Sequence, residues 1–364
     1  MSAIETFQLN FPELVQQMKD TSHHYNNFHL NPYHLEGDIW SHTLMTYNYS
    51  FDENLHSDFV DLELLNWVTL LHDIGKCYTR KEEDGDKGKK TTFYGHAGLS
   101  YHLAISILEF TRFNQEQKRL ILEAISLHHS FMDLLNPKID DKSFVKKMRR
   151  FKNNRWLFEL LLAQMKCDSL GRIMKDRQST YWELEHLHRK FKQWDWDEYI
   201  VKPNDSPTCI ILCGVPNSGK SSLIKHAFSK GWLHKDTTII SSDNIIEEIG
   251  KGEDYNEKFS SVNFGDVEKI MENRFMECLR ENKTFIIDRT NVSVKSRRKF
   301  LGRLKKNYIT EAWVLPTSYS TCLNRNKIRK GKVLPQWVIE EKMQGWVVPL
   351  YDDFDNIIWH FNQG

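Results

Sequence analysis

The chain has 364 residues and a mass of 43.3 kDa, enough for two domains, and its 40% hydrophobic and 27% charged content excludes a disordered or collagen-like polymer. Its 50 Lys+Arg offset 49 Asp+Glu for a formal net charge of +1, which excludes binding to nucleic acid through a global positive field and makes any basic site local. The opening MSAIETFQLNFPELVQQ lacks the basic start and apolar stretch of a signal peptide, and no run approaches the roughly 18 apolar residues of a membrane span. The expected location is cytoplasmic, with no membrane partner. The six cysteines (Cys77, Cys167, Cys209, Cys213, Cys278, Cys322) form no CxxC pair and read as free packing thiols of a reducing compartment.

Along the first half, LELLNWVTLLHDIG, HLAISILEF, QKRLILEAISLHH and RWLFELLLAQMKCDSLGR place apolar residues three and four apart, the period of packed helices. No alternating strand interrupts them, and the charged run KEEDGDKGKK at 81–90 reads as a loop. Histidine concentrates here: 13 of the 16 precede residue 200, leaving His226, His234 and His360 after it. His72 and Asp73 follow the apolar helix LELLNWVTLL. His42 lies upstream in GDIWSHTL, while His96 in YGHAG, His128 and His129 in SLHHS, and Asp168 in KCDSLGR lie downstream.

Taken singly, each of these histidines reads as an ordinary part-buried residue. Their order makes a set of imidazoles and carboxylates suited to one or two divalent transition metals held between helices, where two cations sharing Asp73 would ionise a water for attack on phosphorus. His128 fits the helical phase of LILEAISLH better than His129. His23, His24, His29, His56, His102, His186 and His188 fall outside the pattern and read as ordinary residues. A basic run from Lys142 to Arg155, seven Lys/Arg with no acid, offers a local track for nucleic acid.

The stretch DWDEYIVKPNDSPT at 195–208 has the composition of a linker and divides the chain into domains at 1–200 and 207–364. Beyond it, TCIILC, TTIISS, TFIID, EAWVL and NIIWHF alternate with longer helical stretches, the rhythm of a parallel sheet with crossover helices. The fold class expected is multidomain: an all-α domain followed by an α/β domain with a parallel sheet.

GVPNSGKSS, from Gly214 to Ser222, matches GxxxxGK[ST] between the strand TCIILC and the helix SSLIKHAF. Backbone N–H groups of Gly214, Asn217, Ser218 and Gly219 and the adjoining Ser222 would cradle ATP phosphates, Lys220 would reach the β and γ phosphates, and the Ser221 hydroxyl would ligate Mg²⁺. Asp243, ending the strand TTIISSD, reads either as the base that takes a proton from an attacking hydroxyl or as part of a helix cap. Asp288, which opens DRTN with Arg289 and Asn291, serves Mg²⁺ or the acceptor, or else supports the sheet edge. Arg325 and Arg329, four apart, share a helix face and form a lid over the triphosphate or a solvated basic surface. From Arg289 to Lys332 there are 13 Lys/Arg and one acid, Glu311, which favours a phosphate-rich acceptor.

Over most of residues 208–346 these motifs, with Arg297 and Arg298 and the later Pro335, resemble the 5′-hydroxyl polynucleotide kinases of phage and bacterial RNA repair. That resemblance implies that Lys220 and Ser221 serve ATP and Mg²⁺, that Asp243 is the general base, and that Arg325 and Arg329 form the lid. Some members carry an acceptor-contacting arginine where this chain has Ile246; Arg289 is the candidate substitute. The order His, His-Asp, His, His, Asp over about residues 20–190 resembles the HD phosphohydrolase superfamily, and EGDIWSHTL, LLHDIGK and CDSLGR resemble the HD domain attached to some tRNA nucleotidyltransferases. It implies a first metal on His42, His72, Asp73 and Asp168, a second on His96, His128 and bridging Asp73, and a phosphate partner in Lys76.

Together the two halves resemble the bifunctional family of HD phosphohydrolase and polynucleotide kinase that heals nucleic-acid ends. The implied activities are ATP-dependent 5′ phosphorylation and removal of 2′,3′-cyclic, 2′- or 3′-phosphates, on RNA or DNA ends that a separate polynucleotide ligase then seals. Two rival readings are a kinase and phosphohydrolase of free nucleosides or nucleotides, and a nucleotide-gated RNA sensor without turnover.

Overall fold

The computed structural model describes residues 1–25, 30–85, 88–129, 139–151, 154–175, 184, 206–329 and 331–361. The chain divides into two compact units, Met1–Glu198 and Tyr199–Gly364. Most of the expected linker lies outside the described residues, as do His29, His186, His188 and, within the basic run, Lys152.

The first unit is built from α1 (Ala3–Asn10), α2 (Pro12–Asp20), α3 (Ile39–Tyr49), α4 (Leu62–Leu71), α5 (Lys76–Thr79), α6 (His96–Leu108), α7 (Gln115–Leu127), α8 (Asp141–Met148) and α9 (Arg155–Leu170). Side-chain caps start the helices that matter for the site. Asp38 accepts from Ser41 N at the head of α3, Asp61 from Glu63 N and Leu64 N at α4, and Asn154 from Leu157 N at α9, which satisfies N–H groups that no helix turn can reach. Leu65, Val68, Leu70 and Leu71 of α4 are fully buried, as are Phe158 and Leu161 of α9, and α4 packs on α3, α7 and α9. Each such side chain contributes about 1.5–3 kcal/mol, so these helices stay fixed where polar residues emerge from their ends.

Of the run 81–90 expected as a loop, the described residues are strand. Lys81–Gly85 (β1) and Gly88–Thr92 (β2) pair antiparallel, with Glu83 opposite Lys90 and Asp84 opposite Lys89. The run is acidic in its first part and basic in its second, so the hairpin sets opposite charges across from one another, a pairing that strand propensity does not register.

The second unit is α/β. Its strands are β3 (Thr208–Cys213), β4 (Thr238–Ser241), β5 (Phe285–Asp288), β6 (Ile309–Val314) and β7 (Asn356–Trp359), all parallel, in the order β4-β5-β3-β6-β7. The helices are α10 (Lys220–Ser229), α11 (Ser242–Ile249), α12 (Tyr255–Ser261), α13 (Phe264–Glu281), α14 (Val294–Leu301), α15 (Tyr319–Ile328) and α16 (Gln336–Gln344). β3 is central and apolar because both faces of a parallel sheet are covered: Ile210 and Leu212 pack with Ile224, Ala227, Ile286 and Trp313. The five apolar runs seen in the sequence are these five strands. The six cysteines are free thiols, all buried except the half-buried Cys77. Among the described residues, no helix is long and apolar enough to cross a membrane.

The turn His72–Gly75 joins α4 to α5 and presses against α6. Gly75 N donates to Ser100 Oγ at 2.8 Å, and a Cβ at Gly75 would lie 2.4 Å from the His96 carbonyl oxygen and 2.7 Å from Ser100 N. Both neighbours are backbone, so they yield only by moving α6. We expect Gly75→Ala to lower the stability of this unit by about 1–3 kcal/mol, read as a lower denaturant midpoint at unchanged slope. A wild-type midpoint would show that the α5–α6 contact is loose.

Candidate metal centre and P-loop site

In the first unit the residues singled out in the sequence meet at one place. His72 caps α4 and Asp73 follows it; His42 comes from α3, His96 from the first turn of α6, His128 from the end of α7 and Asp168 from α9. Backbone carbonyls fix three rings in the same way. His72 Nδ1 lies 2.9 Å from Thr69 O, His96 Nδ1 2.8 Å from Phe93 O, and His128 Nδ1 2.6 Å from Ile125 O. A carbonyl can only accept, so each Nδ1 carries the proton and each Nε2 offers a lone pair inward.

Those lone pairs face other acceptors. His96 Nε2 lies 3.2 Å from His128 Nε2, 3.0 Å from His129 Nε2 and 3.2 Å from Asp73 Oδ1. His72 Nε2 is buried without a hydrogen bond and stands 3.3 Å from Asp73 Oδ2. His42 Nε2 lies 2.9 Å from Asp168 Oδ1 while its Nδ1 faces Gly171 O and Glu36 Oε1 at 3.2 Å each. Acceptors at these distances repel unless a proton or a cation lies between them, so the donor set fits divalent cations. Among the described residues three groups have ligand atoms within 4.8 Å of one another: His23 with His34 and Glu36, and, around Asp73, the two formed by His42 with His72 and Asp168 and by His96 with His128 and His129. Asp73 touches both groups. His128 reaches within 3.8 Å of Asp73 Oδ1, and both members of the His128–His129 pair meet His96.

The charges follow from this crowding. Burial would raise Asp73, but the His72 and Lys76 cations outweigh it and hold the carboxyl well below the usual range. Burial would lower His72, but with no cation between them Asp73 and Asp168 overcome it and lift the ring to about 9, so Nε2 then holds a proton that a metal ion would displace. His128 goes the other way, driven far below its ordinary value by burial and by neighbouring imidazoles.

Three partners were read as ordinary or not read at all. His23, fully buried, stacks on His34 with ring centroids 4.0 Å apart, and His34 Nδ1 lies 2.7 Å from Glu36 Oε1. Lys76 Nζ sits 2.7 Å from Asp73 Oδ2 and 3.3 Å from His23 Nε2, over the Phe93 ring. His23, His34 and Glu36 line this centre although they lie outside the order of the motif; the only sequence signal was the density of histidine itself. Arg172 pairs with Asp168 from the turn after α9. Of the others, His24 accepts from Asn31 N at 2.9 Å, and His102 is buried with its ring against Tyr101.

In the second unit the loop after β3 needs unusual backbone. Gly219 has φ +101 and caps α10, and a Cβ at Gly214 would lie 2.5 Å from Ser218 Oγ. Gly214 N donates to Thr290 O at 3.0 Å, which ties the loop to the end of β5. Lys220 Nζ folds onto the loop, 2.9 Å from the carbonyls of Gly214 and Val215, and burial lowers its pKa. Ser221 and Ser222 are exposed in the first turn of α10, a helix N-terminus free to meet phosphate.

Asp243 does not end a strand. β4 stops at Ser241, and Asp243 lies in the first turn of α11, where Ser241 is the cap and accepts from Asn244 N. The Asp243 carboxylate is therefore not consumed by capping: Tyr255 OH donates to Oδ1 at 2.8 Å, and Lys332 Nζ contacts Oδ2. Asp288 lies opposite Ser241 in the β4–β5 register, accepts from Ser241 Oγ at 3.2 Å, and is raised by burial. Asn291, at φ +46, donates its amide to Leu212 O at 2.8 Å and Ile287 O at 3.4 Å. Arg289 pairs with Glu268 at 2.9 Å, and Arg297 is fully buried with its guanidinium on the carbonyls of Asn291, Val292, Val347 and Val348. Ile246 is buried at 2% exposure.

The two lid arginines do not share a helix face. Arg325 lies on α15, but Arg329 is its C-cap in extended conformation, because the helix stops at Ile328. Both still reach the P-loop: Arg325 donates to Asn217 O at 3.3 Å and Ser218 O at 3.2 Å, and Arg329 to Asn217 Oδ1 at 3.1 Å. Asn326 joins them, accepting from Asn217 Nδ2 at 3.2 Å and from Leu334 N at 3.0 Å.

The HD domain family matches residues 39–176, and the AAA domain family matches residues 209–345. Thirty-nine chains of solved structures match; one is the crystal structure of a gluconokinase from Sinorhizobium meliloti 1021, at 17% identity and a TM-score of 0.31, covering 43% of this chain and 84% of that one. No curated protein matches. The chain thus joins an HD domain of the phosphohydrolase type to an AAA-type P-loop domain that is kinase-like.

Proposed function

We propose that this protein heals polynucleotide ends, phosphorylating a 5′-OH at the P-loop domain and removing 2′,3′-cyclic, 2′- or 3′-phosphates at the HD domain. The observation that carries the reading is one chain holding both an Asp243 carboxylate left free by its helix cap beside a P-loop and a cluster of inward imidazole lone pairs around Asp73. RNA broken by transesterification carries both kinds of end, 5′-OH and cyclic phosphate, and a polynucleotide ligase can join them only after both are changed. RNA ends are therefore the substrates proposed, with DNA ends as the second choice.

At the kinase site Asp243 takes the proton of the 5′-OH, the oxygen bonds to the γ phosphorus of ATP, the bond to the β–γ bridging oxygen breaks, and ADP leaves. Lys220, Arg325 and Arg329 neutralise the charge spread over the transferring group. The Ser221 hydroxyl would hold Mg²⁺, which supplies further neutralisation of the phosphates. Asp288 and Asn291 shape the acceptor side. In the HD domain His42, His72, Asp73 and Asp168 would hold one divalent cation, and His96, His128 and Asp73 a second. When bound, such cations lower the pKa of water. Lys76, held between Asp73 and His23, would meet a phosphate oxygen.

Asp243→Ala and Lys220→Ala are each expected to cut 5′ phosphorylation of an oligonucleotide by about 10²-fold or more while 3′-phosphate release continues. Radiolabel transfer from ATP, followed beside phosphate release, checks this. Near-normal labelling by Asp243→Ala would reduce that residue to a structural role.

Asp73→Ala removes the carboxylate shared by both metal groups, and we expect phosphate release to disappear and bound metal, counted by elemental analysis, to fall while 5′ phosphorylation persists. Unchanged metal content with unchanged release would overturn the metal assignment.

Arg329→Lys should lose most kinase activity, because a point charge cannot reproduce the planar, multi-donor guanidinium offered to the transferring phosphate. Full activity in that variant would leave Arg329 as generic basicity.

A further inference from the structure

His23, His34 and Glu36 bring two imidazoles and a carboxylate together, as the His42 group does, yet their geometry argues against a third cation. The His23 and His34 rings lie flat on one another, 10° apart in plane, so their lone pairs run in parallel planes and do not converge on one ion. His23 Nε2 faces the Lys76 ammonium at 3.3 Å, which would repel a cation placed there. Both Glu36 oxygens already accept: Oε1 from His34 Nδ1 at 2.7 Å and from His42 Nδ1 at 3.2 Å, and Oε2 from Ile173 N at 3.0 Å.

Two of these bonds lead towards ligands of the His42 group. His72, His96 and His128 have carbonyls behind Nδ1, whereas His42 Nδ1 meets the Glu36 carboxylate as well as Gly171 O. Both are acceptors, so the proton stays on Nδ1 and the Nε2 lone pair faces Asp168 Oδ1 at 2.9 Å. An anion behind the ring also makes that lone pair more basic. The other Glu36 oxygen fastens the turn after α9, where Leu35 N donates to Ile173 O at 2.8 Å and Arg172 holds Asp168. The Glu36 side chain is 1% exposed. Burial would raise its pKa, but the hydrogen bonds from His34 and His42 outweigh burial and hold the carboxyl well below the usual range.

We propose that Glu36 is a positioning residue for the metal group of His42, His72 and Asp168, fixing the tautomer of His42 and the turn that places Asp168, and that His34 holds Glu36 there without binding metal. The inference rests on the metal centre of the proposed HD activity.

The test is Co²⁺ binding to the full chain stripped of metal, measured by competition with a chromogenic chelator and read both as affinity and as ions bound at saturation. Glu36→Ala should bind about 10- to 100-fold more weakly, the usual cost of losing a carboxylate behind a metal-bound histidine, while the number of ions at saturation matches the parent. The matching number also shows that the centre is folded. Glu36→Gln keeps the shape and one acceptor but not the charge, so it should weaken binding by a smaller factor, and it carries the test if the Ala variant does not fold. Parent affinity in either variant would overturn the inference. So would loss of one whole ion at saturation in Glu36→Ala and His34→Ala alike, which would make the triad a cation site in its own right. Asp168→Ala separates this inference from the reading beneath it: if that variant loses Co²⁺ and the Glu36 variants do not, only the inference falls, and if the parent binds no Co²⁺, the metal centre falls and takes the inference with it.

Discussion

A carboxylate at 2% exposure is tenable only if positive charge or proton donors surround it, and Asp73 makes that demand at the centre of the first unit. α3, α4, α6 and α7 each send an imidazole to it, and Lys76 comes from the start of α5. The helices can do this because their apolar faces, not the polar centre, supply the packing energy. Their ends are held by caps and by the backbone approach at Gly75, so the rings arrive already oriented. The carbonyl behind each Nδ1 then decides which nitrogen is presented. Removing any one of these anchors would let a ring turn and place a proton where a lone pair is needed.

The second unit meets a related demand with backbone in place of imidazole. The loop after β3 must leave N–H groups unspent for phosphate, and the surrounding polar side chains absorb the carbonyls that this shape exposes. Asn291 and Arg297 bond only to carbonyls in the contacts given above, which explains why these two polar side chains are buried. Arg325 and Arg329 are engaged with the same loop from outside. Charge in this unit is thus divided between Arg297, which ties the backbone at Asn291–Val292 to Val347–Val348, and Lys220, Arg325 and Arg329, which bond to the loop itself.

Much of this was legible in the sequence. The periodicity of LELLNWVTLL and the apolar strand TCIILC report burial, and burial is what local sequence encodes most directly. The hairpin at 81–92 was not legible, since its stability comes from cross-strand charge pairs and not from strand-forming residues. The exit of Arg329 from its helix was hidden for another reason: spacing of four assumes that the helix continues, and here it ends at Ile328. Lys332 was one cation among many in a basic run, and nothing local distinguishes the one that reaches Asp243.

The sequence by itself determined the two-part architecture, the five strands, the glycine-rich loop and the identity of the groups able to bind metal, because these depend on residue type and short-range period. The tertiary structure decided which groups meet: that His23, His34 and Glu36 gather beside His42 and Lys76, that Asp243 is released from capping by Ser241, and that Lys332 rests upon it. The Asp243 contacts join residues from different elements, 12 positions apart in the chain for Tyr255 and 89 for Lys332. Their geometry is set by the packing of whole helices and strands, and so carries no signature in the local order of residues.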